Sequence, residues 1–279
     1  MTNYKKRKYI SYIFLFVSFL AALIGLFWLV FILLDVFIKG FSYLSLHIFL
    51  EESAPPLLGG GGIKHALIGQ LIITAIAVLI GVPIGVLGGT YIAEYGRNNR
   101  IAHFISTISD IMVSVPAIVI GTFVYAVFVR PVGSFNAFSG SVALAIIMIP
   151  VVLRTTEDMM RLVPWSLREA AFALGAPYYK VIMDIVYKSA VTGILTGVLL
   201  AIARIVGEAA PLLFTSFNNA FTSINLKESM ASLTVTIYQY ATSPYDSWHK
   251  IAWVASLIIT LSILFLTIIV RLLIKWRYK

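Results

Sequence analysis

Six stretches of this chain are long and apolar enough to cross a bilayer, and that feature excludes soluble architectures. They run from Tyr12 to Ile38, Ala66 to Tyr91, Ile101 to Val129, Phe138 to Leu153, Ser189 to Phe214 and Ile251 to Ile274, the fourth being the shortest. A hydrocarbon core of about 30 Å takes about 20 apolar residues wound as helix. Helices also satisfy their own backbone hydrogen bonds where no water is present. The predicted fold class is therefore an all-α integral membrane protein with six transmembrane helices. Composition agrees, because 12% of the residues are charged, against about 25% in soluble domains.

The first stretch follows Tyr4-Lys5-Lys6-Arg7-Lys8 and so begins like a signal peptide. It runs well past the length of a signal peptide's apolar region, and no Ala-x-Ala cleavage pattern follows it. It reads as a retained span.

An even number of spans puts both termini on one side, and basic residues mark the cytoplasmic side. Placed there with the termini are fifteen Lys and Arg, from Lys5–Lys8 through Arg97, Arg100, Arg154, Arg161, Arg168, Lys180 and Lys188 to Arg271, Lys275, Arg277 and Lys279. The other side has only Lys39, Lys64, Arg130, Lys227 and Lys250. Both termini are thus expected in the cytoplasm of a multi-pass protein of the cytoplasmic (inner) membrane. The expected organisation is a tail, first span and external loop over 1–65, a core over 66–274 with a cytoplasmic loop at 161–180, and a tail at 275–279.

The net charge of +9 sits beside apolar runs, where membrane flanks are expected to be basic, so lipid and not nucleic acid is the predicted neighbour. No cysteine is present, which removes disulfides and thiolate metal sites. His47, His65, His103 and His249 are scattered without metal-ligand spacing, so no metal is assigned. Gly62-Ile63-Lys64-His65 lacks the Gly-Lys-Ser/Thr ending of a phosphate-cradling loop. No catalytic set assembles in one compartment, and no enzyme activity is predicted.

Two connections outside the membrane, Gly40 to His65 and Thr215 to Lys250, are long enough for surface structure. The first holds the breaker cluster Pro55-Pro56-Leu57-Leu58-Gly59-Gly60-Gly61-Gly62, read either as a flexible lead-in to span two or as contact with an external partner. Spans two, three and five carry Gly81, Pro83, Gly85, Gly88, Gly89, Pro116, Gly121, Gly193, Gly197, Gly207 and Pro211. Small residues permit close helix contact in lipid and prolines bend helices, so these serve bundle packing or the hinges of a gate.

The loop between spans four and five is the most informative. Ser166 and Glu169 have capping-box spacing and predict a helix start. Leu167, Ala170, Ala171 and Leu174 recur at helical spacing, and Gly175 with Pro177 stops the helix. Small Ala170 and Ala171 beside the apolar Leu174 suit docking into a partner's groove, and the same pattern suits a helix lying on the membrane surface.

Charges inside spans are costly and must meet a partner or a cavity. Arg204 and Glu208 lie four apart on span five and are predicted to share a face, roughly 24 Å along the helix from Lys188. They are either an ion pair joining helices or the lining of an anion path. Arg154 and Glu157, three apart at the end of span four, are either a snorkelling pair or part of that path. Asp110 in span three reads as a helix-to-helix hydrogen-bond partner.

Glu169-Ala170-Ala171-x3-Gly175 resembles the EAA signature of binding-protein-dependent ABC importer permeases. That family expects Ile-x-Leu-Pro nine residues further on. Ile185 stands at its place, whereas Tyr187 and Lys188 replace Leu and Pro. A fuller resemblance rests on Arg154-Thr-Thr-Glu157, on Val163-Pro164-x-Ser166-Leu-Arg-Glu-Ala-Ala-x-Ala-Leu-Gly175-Ala, and on Leu199-Leu-Ala-Ile-Ala-Arg204-x-x-Gly207-Glu208-x-Ala-Pro211-Leu-Leu-Phe214. Over nearly the whole chain it is similar to the A-type permease subunits of high-affinity phosphate importers.

The resemblance implies a type I ABC importer permease fold. It implies a coupling helix made of Ser166, Glu169, Ala170, Ala171, Leu174 and Gly175, and a translocation pathway that includes Arg154, Glu157, Arg204 and Glu208. The implied partners are a homologous second permease, two ATPase subunits and an external phosphate-binding protein. No cofactor is expected in this chain, ATP and Mg belonging to the ATPases. The rival readings are an importer of another oxyanion or small solute, an ion-coupled carrier, which usually shows an inverted repeat that is not evident here, and a non-transporting scaffold.

Overall fold

The computed structural model describes residues 2–96 and 99–277. Arg97 of the basic set lies outside the described residues, as do Tyr278 and Lys279 of the expected tail, while 275–277 continue the last helix. Among the described residues the regular structure is helical, apart from one bridge between Ser53 and Gly61. The helices are α1 (Thr2–Ser42), α2 (Leu46–Leu50), α3 (Lys64–Tyr95), α4 (Arg100–Ser114), α5 (Ala117–Val132), α6 (Ala137–Arg161), α7 (Trp165–Ala173), α8 (Tyr178–Val206), α9 (Ala210–Leu213), α10 (Leu233–Ala241) and α11 (Asp246–Arg277). Five of them, α1, α3, α6, α8 and α11, are each long and apolar enough to cross a membrane.

The third expected span is not one straight helix. α4 and α5 together are long and apolar enough, but they meet at 106°. Pro116 has no N–H to donate and drives the preceding Val115 out of the helical region, to φ −73° and ψ 128°. The fifth span also differs from expectation, because its helix starts at Tyr178 and ends at Val206. Gly207 caps it, and Pro211 begins the separate turn α9. Span four extends to Arg161, which places Arg154 and Glu157 within α6.

α6 is the central helix, with most of its length buried. α3 lies along it through a seam of small residues: Gly81 meets Met148, Gly85 meets Val152, and Gly89 sits on the backbone of Leu153 and Glu157. On another side of α6, Gly193 and Gly197 of α8 rest on Met159 and Thr155. Those two contacts make α6 and α8 antiparallel neighbours. Leu144, Met148 and Val152 of α6 fill the core with Ile73 and Ala77 of α3 and Ala201 and Ile205 of α8.

A second cluster gathers Ile48, Ile63 and Ala66 with Leu233 and Tyr240 of α10 and Ile251, Val254 and Ala255 of α11. α1 joins the bundle at its C-terminal end, where Gly40 abuts Leu257 and Lys39 lies 4.5 Å from the Trp253 ring centroid.

The Pro55–Gly62 segment is folded onto this cluster and is not a loose lead-in. The Trp248 indole donates to the Ala54 carbonyl at 3.3 Å, and Gly60 lies against the same ring. The Ser53 and Tyr240 hydroxyls are 2.6 Å apart, and the Glu52 carboxylate accepts from the Thr222 amide at 2.6 Å. Burial raises the Tyr240 phenol above the usual tyrosine pKa, and the Ser53 hydrogen bond opposes that shift.

The glycine seam gives a direct test. A Cβ at Gly89 would overlap the Leu153 carbonyl oxygen and press on Thr156, whereas one at Gly25 in α1 would meet nothing within 4 Å. Gly89→Ala is expected to lower stability by about 1–3 kcal/mol through overpacking. Gly25→Ala is expected to leave it unchanged or raise it by up to about 1 kcal/mol, as alanine favours helix. Thermal unfolding of the purified protein in detergent measures both.

Candidate functional site

Three groups of polar side chains stand out on the apolar bundle, and each is set in place by α6 or a helix packed on it. The first lies on the last two turns of α6. The Glu157 carboxylate, 3% exposed, accepts from Arg154 at 3.0 Å and forms an ion pair with Arg161 at 2.8 Å, so one buried anion holds two cations. Arg154 also donates to the Ser106 hydroxyl at 3.2 Å, and its guanidinium is 3.7 Å from Asp110. Asp110 therefore bridges α4 to α6 as an ion pair, where a hydrogen bond between helices was expected. The Arg154 side chain remains 45% exposed, so the network leaves a face of the guanidinium open.

The second group is Arg204 with Glu208. Gly197 rests on Thr155, and Arg204 is seven residues further along α8, about 10 Å beyond that contact in the direction away from α7. The two predicted pathway pairs thus occupy different depths. Sequence spacing put Arg204 and Glu208 on one helical face, but α8 stops at Val206 and Glu208 lies beyond its end. The helix breaks at Gly207, whose amide bonds back to the Arg204 carbonyl at 3.2 Å. The side chains still approach to 4.0 Å, the limit of an ion pair, with Arg204 45% and Glu208 24% exposed. The Glu208 carbonyl accepts from the Thr234 hydroxyl at 3.1 Å, fixing the break to α10.

The third group surrounds α7. This helix starts one residue before the predicted capping serine. Pro164 occupies the N-cap at φ −58° and ψ 138°, and its carbonyl takes the Leu167 amide at 3.2 Å. No side chain caps the helix, so the Ser166–Glu169 capping box is not formed, and both residues lie inside the helix. Proline's fixed φ supplies the chain reversal that the serine was expected to provide. The predicted stop is present. Gly175 sits at φ +77°, with its amide on the Phe172 carbonyl at 2.9 Å and the Ala176 amide on Ala171 at 3.1 Å, the paired closure of a Schellman end.

The expected apolar face of α7 divides in two. Leu167, Ala170 and Leu174 point outward, Leu174 being 89% exposed, whereas Ala171 is buried against this chain. Arg168 is turned inward with Ala171. It donates to the Glu94 carboxylate at 2.7 Å, to the Val163 carbonyl at 2.6 Å and to the Met160 carbonyl at 3.1 Å. The Tyr178 hydroxyl donates to the backbone and side chain of Glu94 at 3.1 and 3.2 Å. A cleft of about 650 Å³ opens beside this pair, between the end of α3 and the start of α7.

Sequence reasoning counted Arg168 only among cytoplasmic cations and missed Glu94. One signal was available. Glu94 is in the last turn of α3, where a carboxylate opposes the helix dipole and is favoured only beside a cation.

The replaced tail of the EAA signature also has a structural role. The hydroxyls of Tyr187 and Thr90 of α3 are 2.5 Å apart, and Lys188 pairs with Asp184 at 2.9 Å. Without the proline, α8 runs unbroken through these positions, with a π-helical turn over Val181–Val186.

Residues 81–277, which span α7 and both pathway pairs, match the family described as binding-protein-dependent transport system inner membrane component. The chain belongs to that family. Its curated relatives include the phosphate transport system permease protein PstA of Pasteurella multocida, 47% identical over 100% of this chain and 99% of the relative. The PstA of Haemophilus influenzae is 50% identical over 91% of this chain and 90% of its own length. Among solved structures, an inward-facing MetNI methionine ABC transporter has a TM-score of 0.58 at 20% identity, covering 77% of this chain and 93% of that one. An amino acid ABC transporter gives 0.58 at 17% identity, with 76% and 92% covered. The chain thus has the fold of a type I ABC importer permease, as the α7 signature implied.

The burial of Glu157 between two guanidinium groups sets an expectation for stability of this permease. Glu157→Gln removes the counter-charge of Arg161, leaves Arg154 only the 3.7 Å contact with Asp110, and is expected to cost about 1–3 kcal/mol. Glu208→Gln, removing a half-open contact at 4.0 Å, should cost about 0.5 kcal/mol or less. Paired thermal melts in detergent distinguish the two sites.

Proposed function

We propose that this permease carries inorganic phosphate across the cytoplasmic membrane as one of two homologous membrane subunits of an ATP-driven importer. The observation that supports it most directly is Arg204, a guanidinium 45% exposed at membrane depth and only loosely held by Glu208. A charge there must face a water-filled cavity or a partner, because lipid contact is too costly. A guanidinium fork suits the oxygens of a tetrahedral anion. Arg154, also 45% exposed, stands about 10 Å along the bundle as a second station, with Glu157 and Asp110 limiting how tightly it holds an anion. The curated relatives, named as phosphate transport permeases, favour phosphate over other oxyanions.

In this reading the chain has no catalytic centre or cofactor of its own. Two ATPase subunits hold ATP and Mg, and one of them docks on Leu167, Ala170 and Leu174 of α7, while Ser166, Glu169, Ala171 and Gly175 shape that helix. An external phosphate-binding protein delivers substrate to the face formed by the loops around 55–64 and 215–250. Residues 1–65 join the first span and external loop to the transport core at 66–274, and both termini lie in the cytoplasm. The excess of basic residues on the α7 side supports that orientation.

Two experiments test the reading. Phosphate uptake is measured in cells carrying Arg204→Gln, with expression and co-purification of the ATPase checked against wild type. Uptake is expected to fall by about 100-fold with assembly intact, the loss typical of one charged hydrogen-bond partner; unchanged uptake sinks the pathway role. Because the chain has no cysteine, orientation is read from Leu57→Cys and Tyr4→Cys, both at exposed positions. A membrane-impermeant maleimide should label Leu57→Cys in intact cells and Tyr4→Cys only after permeabilisation.

A further inference from the structure

The Arg168–Glu94 pair has a geometry that packing alone does not require. Both side chains are almost fully buried, at 5% and 2% exposed. Taking two charges out of water is costly, and an apolar pair of similar volume is commonly at least as stable. What an ion pair adds is direction, because a planar guanidinium holds its acceptors at fixed angles.

Here those acceptors belong to different helices. Arg168 is carried by α7, its carboxylate partner closes α3, the Met160 carbonyl is in the last turn of α6 and also takes the Val163 amide at 3.3 Å, and the Val163 carbonyl lies just after that helix. Tyr178, at the start of α8, completes the junction through its hydroxyl on Glu94. Its ring stacks on Phe172 of α7 at 5.9 Å and meets Tyr95 of α3 edge-on at 5.5 Å. α7 therefore cannot shift without drawing on the end of α3. One turn and a half before Glu94, Gly89 lies directly on the backbone of Leu153 and Glu157. Glu157 in turn holds Arg154 and Arg161. Two routes thus run from α7 to the end of α6, one direct through the Met160 carbonyl, and one through the Arg168–Glu94 pair and α3 to the Glu157 group.

We propose that the Arg168–Glu94 ion pair converts movement of α7 into movement of α3, and that both are positioning residues for transport. This rests on the ATP-driven reading above. The outward face of α7 receives the ATPase, and the inward face delivers the displacement. Removing the pair uncouples the two while leaving the outward face intact.

The test uses the complete importer in phospholipid vesicles with the external binding protein, measuring phosphate uptake and ATP hydrolysis together. The variants are Arg168→Gln, Glu94→Gln and the apolar double Arg168→Met with Glu94→Leu. Phosphate moved per ATP hydrolysed is expected to fall by about tenfold in each, the size of a typical coupling energy, with ATPase subunits bound at the wild-type ratio. The double variant should lose no more than either single one, because all three break the same link. It should also recover the thermal stability that the single variants lose, while transport per ATP stays low. A wild-type ratio in the apolar double, or a ratio that falls only as ATPase subunits are lost, overturns the proposal and leaves the pair a packing element. Wild-type vesicles that hydrolyse ATP without taking up phosphate overturn the phosphate reading instead, so the two failures are separate.

Discussion

The structure depends on how closely α3 and α6 approach. In lipid, apolar area drives association weakly, and helices are held by van der Waals contact and the hydrogen bonds that close approach allows. Gly81, Gly85 and Gly89 remove the side chains that would separate the two helices, and Met148, Val152 and the α6 backbone fill the space. Gly193 and Gly197 do the same for α8 against Met159 and Thr155. The charged residues are then fixed by apolar contact. Glu157 is buried because Gly89 lies on its backbone, and Arg154 is half open because nothing among the described residues covers its other side.

That frame explains why the charges sit in tiers. Arg168 and Glu94 lock the junction below α7, Glu157 holds Arg154 and Arg161 on the last turns of α6, and Arg204 lies about two turns deeper along α8. Compensation weakens in the same order. The deepest cation has a partner only at 4.0 Å, whereas the outermost has a carboxylate at 2.7 Å and two carbonyls. The best-paired charges are also the most buried, at 5% and 2% exposed, as the cost of desolvation requires, whereas the deepest cation is 45% exposed. That distribution suits the proposed roles, an open Arg204 for an anion and a locked Arg168–Glu94 pair for carrying load.

Much of this was legible in the sequence because hydrophobicity acts locally. Six apolar stretches, the basic excess on one side and the Gly175 stop each follow from a few adjacent residues, and the class of fold with them. Pro116 was visible as a breaker, yet the 106° angle it leaves depends on what α5 packs against, which no window of sequence contains. The capping box failed for a similar reason: Ser166 and Glu169 have the right spacing, but Pro164 caps the helix two residues earlier and puts the serine inside it. Arg204 and Glu208 were found by their cost in lipid, though Gly207 ends the helix between them and leaves a looser pair than i,i+4 spacing suggests. Arg168 and Glu94 are 74 residues apart, and only the seam that sets α3 beside α6 brings them together.

The departures from the EAA signature fit the same logic. A proline at position 188 would remove an amide from α8 and bend it near its start. With Lys188 there, α8 continues from Tyr178 to Val206, and the Tyr187 hydroxyl ties it to Thr90 in the penultimate turn of α3. That bond lies four residues before Glu94, so α3 is held by α7 and by α8 within about one turn. The consequence is a second line of contact from the α7 loop, along an unbroken helix that carries Arg204 in its last turn. In the proposed coupling, a displacement of the loop reaches Arg154 through α3 and α6, and Arg204 through α8. Gly193 and Gly197 keep α8 against α6, so in that reading the two arginines move together. A gate in which both change their exposure together needs this double attachment; a single hinge at a proline would let the loop swing while Arg204 stayed in place.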